Sequence, residues 1–218
     1  MLIDARDLQV RLGDHTLIQG VSVRCEPGKI TAISGPSGSG KTTLLHALGL
    51  LIPVSHGSLL LDGREAARAS ERERRAFWRE HTAFVFQDYG TIEDRSVAAN
   101  TVMALGPLGG TQRGDPDRLR NALAQVGLAG RERDPAARLS GGEKQRLAIA
   151  RAIYRDARVI LADEPTASLD AENRERIITL LRTRAAAGAT VVIATHDEAF
   201  ADTCEARFRF DPSVSSRG

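Results

Sequence analysis

The sequence predicts an α/β fold: a mainly parallel sheet flanked by helices, an N-terminal antiparallel β layer and an inserted helical subdomain. Three observations predict it. From residue 30 onward, apolar β-prone runs alternate with helix-like segments. Three of those runs, 30–33, 159–162 and 191–194, are nearly continuous in apolar residues, as strands buried on both faces are. Residues 2–26 instead alternate apolar with polar (Leu8, Val10, Leu12, then Leu17, Val21, Val23), the period of half-exposed antiparallel strands.

The elements follow in order. A turn at Gly13-Asp14 divides the first antiparallel pair, and Pro27-Gly28 makes another turn. After the apolar run 30–33 comes Gly35-Pro36-Ser37-Gly38-Ser39-Gly40-Lys41-Thr42, then a helix opening on Thr43-Leu44-Leu45. Ser58–Leu61 reads as a strand ending at the turn Asp62-Gly63, 70–80 as a helix, and Thr82–Phe86 as a short strand. Residues 88–139 change character, with helices near 96–105 and 116–127 separated by breakers at Gly106-Pro107, Gly109-Gly110 and Gly114. A helix at 141–154, a strand at 158–162, a helix at 171–187 and strands at 190–194 and 206–210 complete the chain. Asp170 caps the 171–187 helix, Ile177 and Leu181 share a face, and Gly188 stops it. The whole of 1–218 reads as one domain, with roughly 88–156 as its helical subdomain.

Composition sets the outer limits. Thirty basic residues against 28 acidic ones argue against the electrostatic footprint of a nucleic-acid binder. The charged stretch 64–80 mixes both signs, as a solvated helix face does. No apolar run reaches the ~20 residues of a membrane span, and the N-terminus has no signal-peptide layout. The expectation is a soluble, cytosolic chain whose membrane contact comes through a partner. Cys25 and Cys204 lack metal spacing and read as reduced thiols.

The chemistry sits where strands end. Residues 35–42 fit G-x-x-x-x-G-K-[ST] between a strand and a helix, a phosphate-binding loop. Glycines let backbone N–H groups wrap a polyphosphate, and the helix start adds donors and dipole. Lys41 supplies positive charge to the β/γ oxygens, and Thr42 offers a hydroxyl to Mg²⁺. Gly35, Pro36, Ser37, Gly38, Ser39, Gly40, Lys41, Thr42 and Thr43 are therefore the nucleotide-binding set. Val159–Ala162 carries Asp163, suited to hold Mg²⁺, and Glu164, suited to orient or polarise the attacking water. His196, at the end of 191–194, is placed to contact the γ-phosphate, or else simply starts a helix beside Asp197. Gln87 ends the strand at 83–86 and can reach metal or water; a glutamine there is also ordinary. In a parallel sheet these strand ends share one crevice. Ser140 and Glu143 have capping-box spacing, so a helix starts at Leu139-Ser140-Gly141-Gly142-Glu143. Adjacent glycines in a first turn suit an anion at bared N–H groups.

With these motifs in this order, the chain resembles the ABC-type ATPases, the P-loop nucleotide-binding domains of ABC transporters, over nearly all its length. The resemblance identifies the phosphate loop at 35–42, the Q-loop glutamine Gln87, the signature at 139–143, Walker B at 159–164, the D-loop Ser168-Leu169-Asp170 and the switch His196. It implies ATP and Mg²⁺ as cofactors, with Thr42, Gln87 and Asp163 toward the metal and Glu164, His196 and Gln87 catalytic. It implies a head-to-tail dimer with itself or a similar ATPase chain, in which Ser140, Gly141, Gly142 and Asp170 act across the interface. It implies an integral-membrane transporter subunit that holds the chain at the cytoplasmic side of the membrane and is received in a groove beside Tyr89 and the segment through Asn100. Leu12 stands where the family stacks an aromatic residue on adenine; His15 is the other residue near that place. The stretch Phe84-Val85-Phe86-Gln87-Asp88-Tyr89-Gly90 looks like the lipoprotein-, macrolide- and bacteriocin-export branch. The expected function is the ATP-hydrolysing subunit of an exporter. The alternatives are an ABC ATPase driving a cell-envelope process, or one acting on ribosomes or DNA.

Overall fold

Two sheets are stacked with helices between and outside them. The computed structural model describes residues 1–103, 114–167 and 169–210. Five parallel strands form the central sheet: β3 (Ile30–Ser34), β6 (Thr82–Val85), β7 (Val159–Asp163), β8 (Thr190–Thr195) and β9 (Ala206–Arg209), in the order β6-β7-β8-β3-β9. An antiparallel sheet holds β1 (Ile3–Leu12), β2 (His15–Cys25), β4 (His56–Leu61) and β5 (Arg64–Glu65), in the order β2-β1-β4-β5. The short β5 escaped the sequence reading. Asp62-Gly63, both with positive φ (47° and 81°), makes the two-residue turn that folds it back on β4.

Side-chain alternation in the central strands builds two cores. Val159, Leu161, Val192 and Ala194 point to the side of the antiparallel sheet, with Leu44, Leu45 and Leu48 of α1 (Lys41–Leu48) between the layers. Ile160, Ala162, Val191 and Ile193 point the other way. There they meet α5 (Gly141–Tyr154) and α6 (Ala171–Ala186) through Leu147, Ile149, Ile177 and Leu181. These strands are buried on both faces, which is why their sequences run apolar without polar breaks. Trp78, on α2 (Glu71–Glu80), donates Nε1–H to the Gly49 carbonyl at 2.7 Å, joining that helix to the end of α1.

The segment between β6 and β7 is helical: α3 (Val97–Val102), α4 (Pro116–Gln125) and α5. α3 and α4 both pack on α5, and α5 also lies on β6. α3 ends at a left-handed Met103, so it is shorter than the expected 96–105; residues 104 and 105, and the breakers at 106–110, lie outside the described residues. α4 stops at Gln125 because the chain turns through Val126 and Gly127. The last helix, α7 (Glu198–Ala201), is capped by Asp197, whose side chain accepts from the Phe200 N–H at 2.9 Å.

Candidate nucleotide-binding site

Register carries the reactive residues to one edge. Ser34 of β3 pairs with Thr195 of β8, Asp163 of β7 with Ala194, and Val85 of β6 with Ala162. The residues that follow, Gly35, Glu164, His196 and Gln87, therefore leave neighbouring strands at the same carboxyl edge. Strands lie about 4.8 Å apart, so adjacent strand ends are within side-chain reach.

Glu164 continues the ladder by one bond, donating its N–H to the Ala194 carbonyl at 2.9 Å. It then turns left-handed, with φ 45°, a conformation uncommon outside glycine. Its Oε1 lies 2.8 Å from Nδ1 of the exposed His196. Asp163 is buried, and burial pushes its carboxyl above the usual range; the Thr42 hydroxyl, donating at 3.1 Å, opposes that shift. Thus the first turn of α1 touches the end of β7 across β8's position in the sheet.

The loop 35–42 is built around close approach. Gly40 has φ 102°, and a Cβ there would lie 2.6 Å from Ile18 Cγ2. It gives α1 no side-chain cap, which leaves the first-turn N–H groups to an anion. Ser39 Oγ is buried with no partner among the described residues. Lys41 is buried, and its Nζ donates to the carbonyls of Gly35 (3.0 Å) and Pro36 (2.9 Å). An adjacent cleft is lined by Leu17, Gly38, Gly40, Lys41, Thr42 and Thr43. A magnesium ion fits the donor set: one hydroxyl and one carboxylate 3.1 Å apart suit a cation that takes its remaining ligands from phosphate and water.

The other motifs sit nearby. Gln87 is exposed and lines a small cavity with Tyr89, Gln145, Glu164, Pro165, Ala167 and Leu169. Ser140 caps α5 reciprocally with Glu143: the Ser140 N–H donates to Glu143 Oε2 at 2.8 Å, and the Glu143 N–H donates to Ser140 Oγ at 3.3 Å. A Cβ on Gly142 would lie 2.7 Å from Asn173 Cγ. Asn173 is held in turn by Asp170 Oδ2 (2.8 Å) and Arg146 Nη1 (2.5 Å). Asp170 caps α6; Ser168 lies outside the described residues. No hydrogen bond among the described residues joins Ser140, Gly141 or Gly142 to the loop 35–42. Leu12 is 71 % exposed at the tip of the β1–β2 hairpin, paired with His15, while Leu17 is the hairpin residue in the cleft.

Sequence reasoning passed over Leu17, Gln145 and Asn173. Gln145 had a signal: it lies four residues after Gly141, so both fall on one helix face. It is 2 % exposed, and its Oε1 has no partner among the described residues.

A glycine loop opening a helix, with an acid pair and an imidazole at the ends of adjoining parallel strands, defines a P-loop protein that binds nucleoside triphosphates. The chain belongs to the ABC transporter family, which matches residues 18–167. It is 42 % identical over 212 residues to the lipoprotein-releasing system ATP-binding protein LolD 1 of Caulobacter vibrioides, covering 94 % of this chain and 91 % of that one. It is 39 % identical to the macrolide export ATP-binding/permease protein MacB of Bdellovibrio bacteriovorus, covering 90 % of this chain but 31 % of MacB. Among solved structures, the dimeric bacterial ABC transporter cassette MJ0796 superposes with a TM-score of 0.82 at 28 % identity, covering 95 % of this chain and 94 % of the other. A second MJ0796 structure, with the same score, is a post-hydrolysis state bound to ADP and Pi. The fold is that of the ABC ATPase cassettes, and the chain is an ATP-binding ATPase of that family.

Proposed function

We propose that this ATPase closes head-to-tail on a second cassette when ATP binds, reopens on hydrolysis, and passes that motion to a separate membrane subunit of an exporter. The supporting observation is the convergence of Thr42 on Asp163 at 3.1 Å and of His196 on Glu164 at 2.8 Å, at the edge where the phosphate loop begins. In this reading Lys41 and the loop amides hold the β- and γ-phosphates. Thr42, Asp163 and Gln87 serve the metal side. Magnesium held there would supply positive charge that offsets the charge of the phosphates. Glu164 takes the proton of the attacking water, and His196 holds that carboxylate in place and donates toward the γ-phosphate. Ser140, Gly141, Gly142 and Asp170 complete the site of the other protomer, which accords with the absence, among the described residues, of any hydrogen bond from 140–142 to their own chain's loop 35–42. Leu12 and Leu17 give the base an apolar edge in place of an aromatic ring.

Residues 1–218 act as one domain, with 88–156 as the subdomain that carries the 140–142 turn. No described helix is long and apolar enough to cross a membrane. In this reading the chain sits at the cytoplasmic face through its partner. Kinship to LolD 1 and MacB favours export or lipoprotein release over import. Driving a cell-envelope process without a solute is the related reading, tested by the same partner.

Glu164→Gln decides the catalytic part. The expected variant binds ATP with near-normal affinity, turns over at least about 10²-fold more slowly and elutes as an ATP-dependent dimer. Turnover at the unmutated rate would remove Glu164 as the base. Lys41→Ala is expected to lose ATP binding instead. Co-purification from native membranes identifies the partner; ribosomes or DNA in its place would overturn the transporter reading.

A further inference from the structure

One stripe of α5 is fastened to the loop that follows Gln87. Gly141, Lys144 and Arg151 stand three and seven residues apart and so share a helix face. Each meets the segment from Tyr89 to Asn100. A Cβ on Gly141 would lie 2.8 Å from Tyr89 Oη, so the phenol rests on bare backbone. Lys144 Nζ pairs with Glu93 at 2.6 Å. Arg151 donates from Nη1 to the Tyr89 carbonyl at 3.0 Å and from Nε to the Asn100 carbonyl at 3.0 Å. Its Nη2 reaches Asn100 Oδ1 at 3.4 Å.

Asn100 extends that grip. It is 1 % exposed. Its Oδ1 accepts from the Ile92 N–H at 2.8 Å, and its Nδ2 donates to the carbonyls of Ile92, Arg95 and Ser96. One guanidinium thus organises residues 89–100, directly or through a single amide.

Arg151 is an expensive way to pack a helix. It is 6 % exposed, its acceptors are all neutral, and no carboxylate pairs with it among the described residues. Burial lowers the guanidinium to about 10. A buried charge without a counter-ion is penalised, and an apolar side chain of similar length would avoid that cost. The geometry it holds is costly too. Tyr89 and Gly90 are consecutive residues with positive φ (67° and 51°), and a left-handed tyrosine persists only where its surroundings fix it. The Tyr89 carbonyl bound by Arg151 lies two residues beyond Gln87.

We propose that Arg151 is a positioning residue for turnover: its guanidinium locks the Gln87 loop to the helix that starts at Ser140, so that Gln87 and the glycine turn move as one piece. The inference rests on the roles given above to those two motifs.

The test uses the full chain with Arg151→Met and Arg151→Lys, read by amide hydrogen exchange and by steady-state ATP hydrolysis. In Arg151→Met the amides of Tyr89 and Ile92 are expected to exchange at least about tenfold faster, with those of Ile160 and Val192 unchanged. Its kcat is expected to fall at least about tenfold with KM within about threefold, the pattern of lost positioning rather than lost binding. Arg151→Lys keeps the charge but only part of the fork, and is expected to fall between the two. If Arg151→Met does not fold, the Lys variant alone decides. Unchanged loop exchange overturns the clamp, and faster exchange with an unmutated kcat overturns its link to turnover. Failure of the underlying reading is seen separately, as an active Glu164→Gln, because the exchange measurement needs no nucleotide.

Discussion

At the scale of single residues, the site combines groups that the fold would rather not hold. Asp163 is buried with one hydroxyl for a partner, and its raised pKa records the cost of keeping a carboxylate there. Asp163→Asn keeps an acceptor for Thr42 and removes the charge. It is expected to stabilise the nucleotide-free chain by about 1 kcal/mol in urea unfolding while lowering Mg-dependent turnover. Gly40 is the opposite case. Both its φ of 102° and the 2.6 Å approach to Ile18 exclude a side chain. Gly40→Ala is expected to cost about 2–4 kcal/mol, measured the same way, and to weaken ATP binding. Glycine spacing was plain in the sequence. That Ile18 of the neighbouring hairpin enforces it was not, because the contact joins residues 22 positions apart.

At the scale of elements, α5 is gripped on two faces. One face meets the loop at 89–100; the other presses Gly142 against Asn173, which Asp170 and Arg146 hold from either side. Asn173 has little room to retreat. Gly142→Ala is therefore expected to destabilise the chain by about 1–2 kcal/mol, and Asn173→Ala to erase most of that penalty in the double mutant. A coupling within about 0.3 kcal/mol of zero would show that Asn173 yields freely. The sequence revealed both helices and both caps, since Ser140–Glu143 and Asp170 carry local signals. It could not reveal that the two helix starts touch. Likewise nothing local singles out Arg151; its burial depends on the packing of α3 and the loop, which no local pattern encodes.

At the scale of the whole molecule, the central sheet serves two interiors at once. Leu161 faces α1 and the antiparallel layer, while Ile160 faces α5 and α6. Leu161→Ala is expected to cost about 2–5 kcal/mol, read by thermal and urea unfolding, because it sits against Gly49 and Phe84 as well as α1. The parallel sheet and the antiparallel layer were legible from strands alternating with helices and from apolar periodicity, and the carboxyl-edge convergence followed from the parallel sheet. What stayed illegible was tertiary: that Leu17 of the hairpin lines the cleft beside the loop is a contact no local pattern encodes.

Strict alternation between two interiors also limits how such a chain can change length. Deleting one residue from Val159–Ala162 would send every strand side chain after the deletion to the wrong half of the protein and slide the acids by one place, with Glu164 arriving where Thr42 meets Asp163. The hairpin tip at Gly13-Asp14 has no such parity to keep. Extra residues there leave every strand in phase, provided that Leu12 and Leu17, which flank the tip, keep their places.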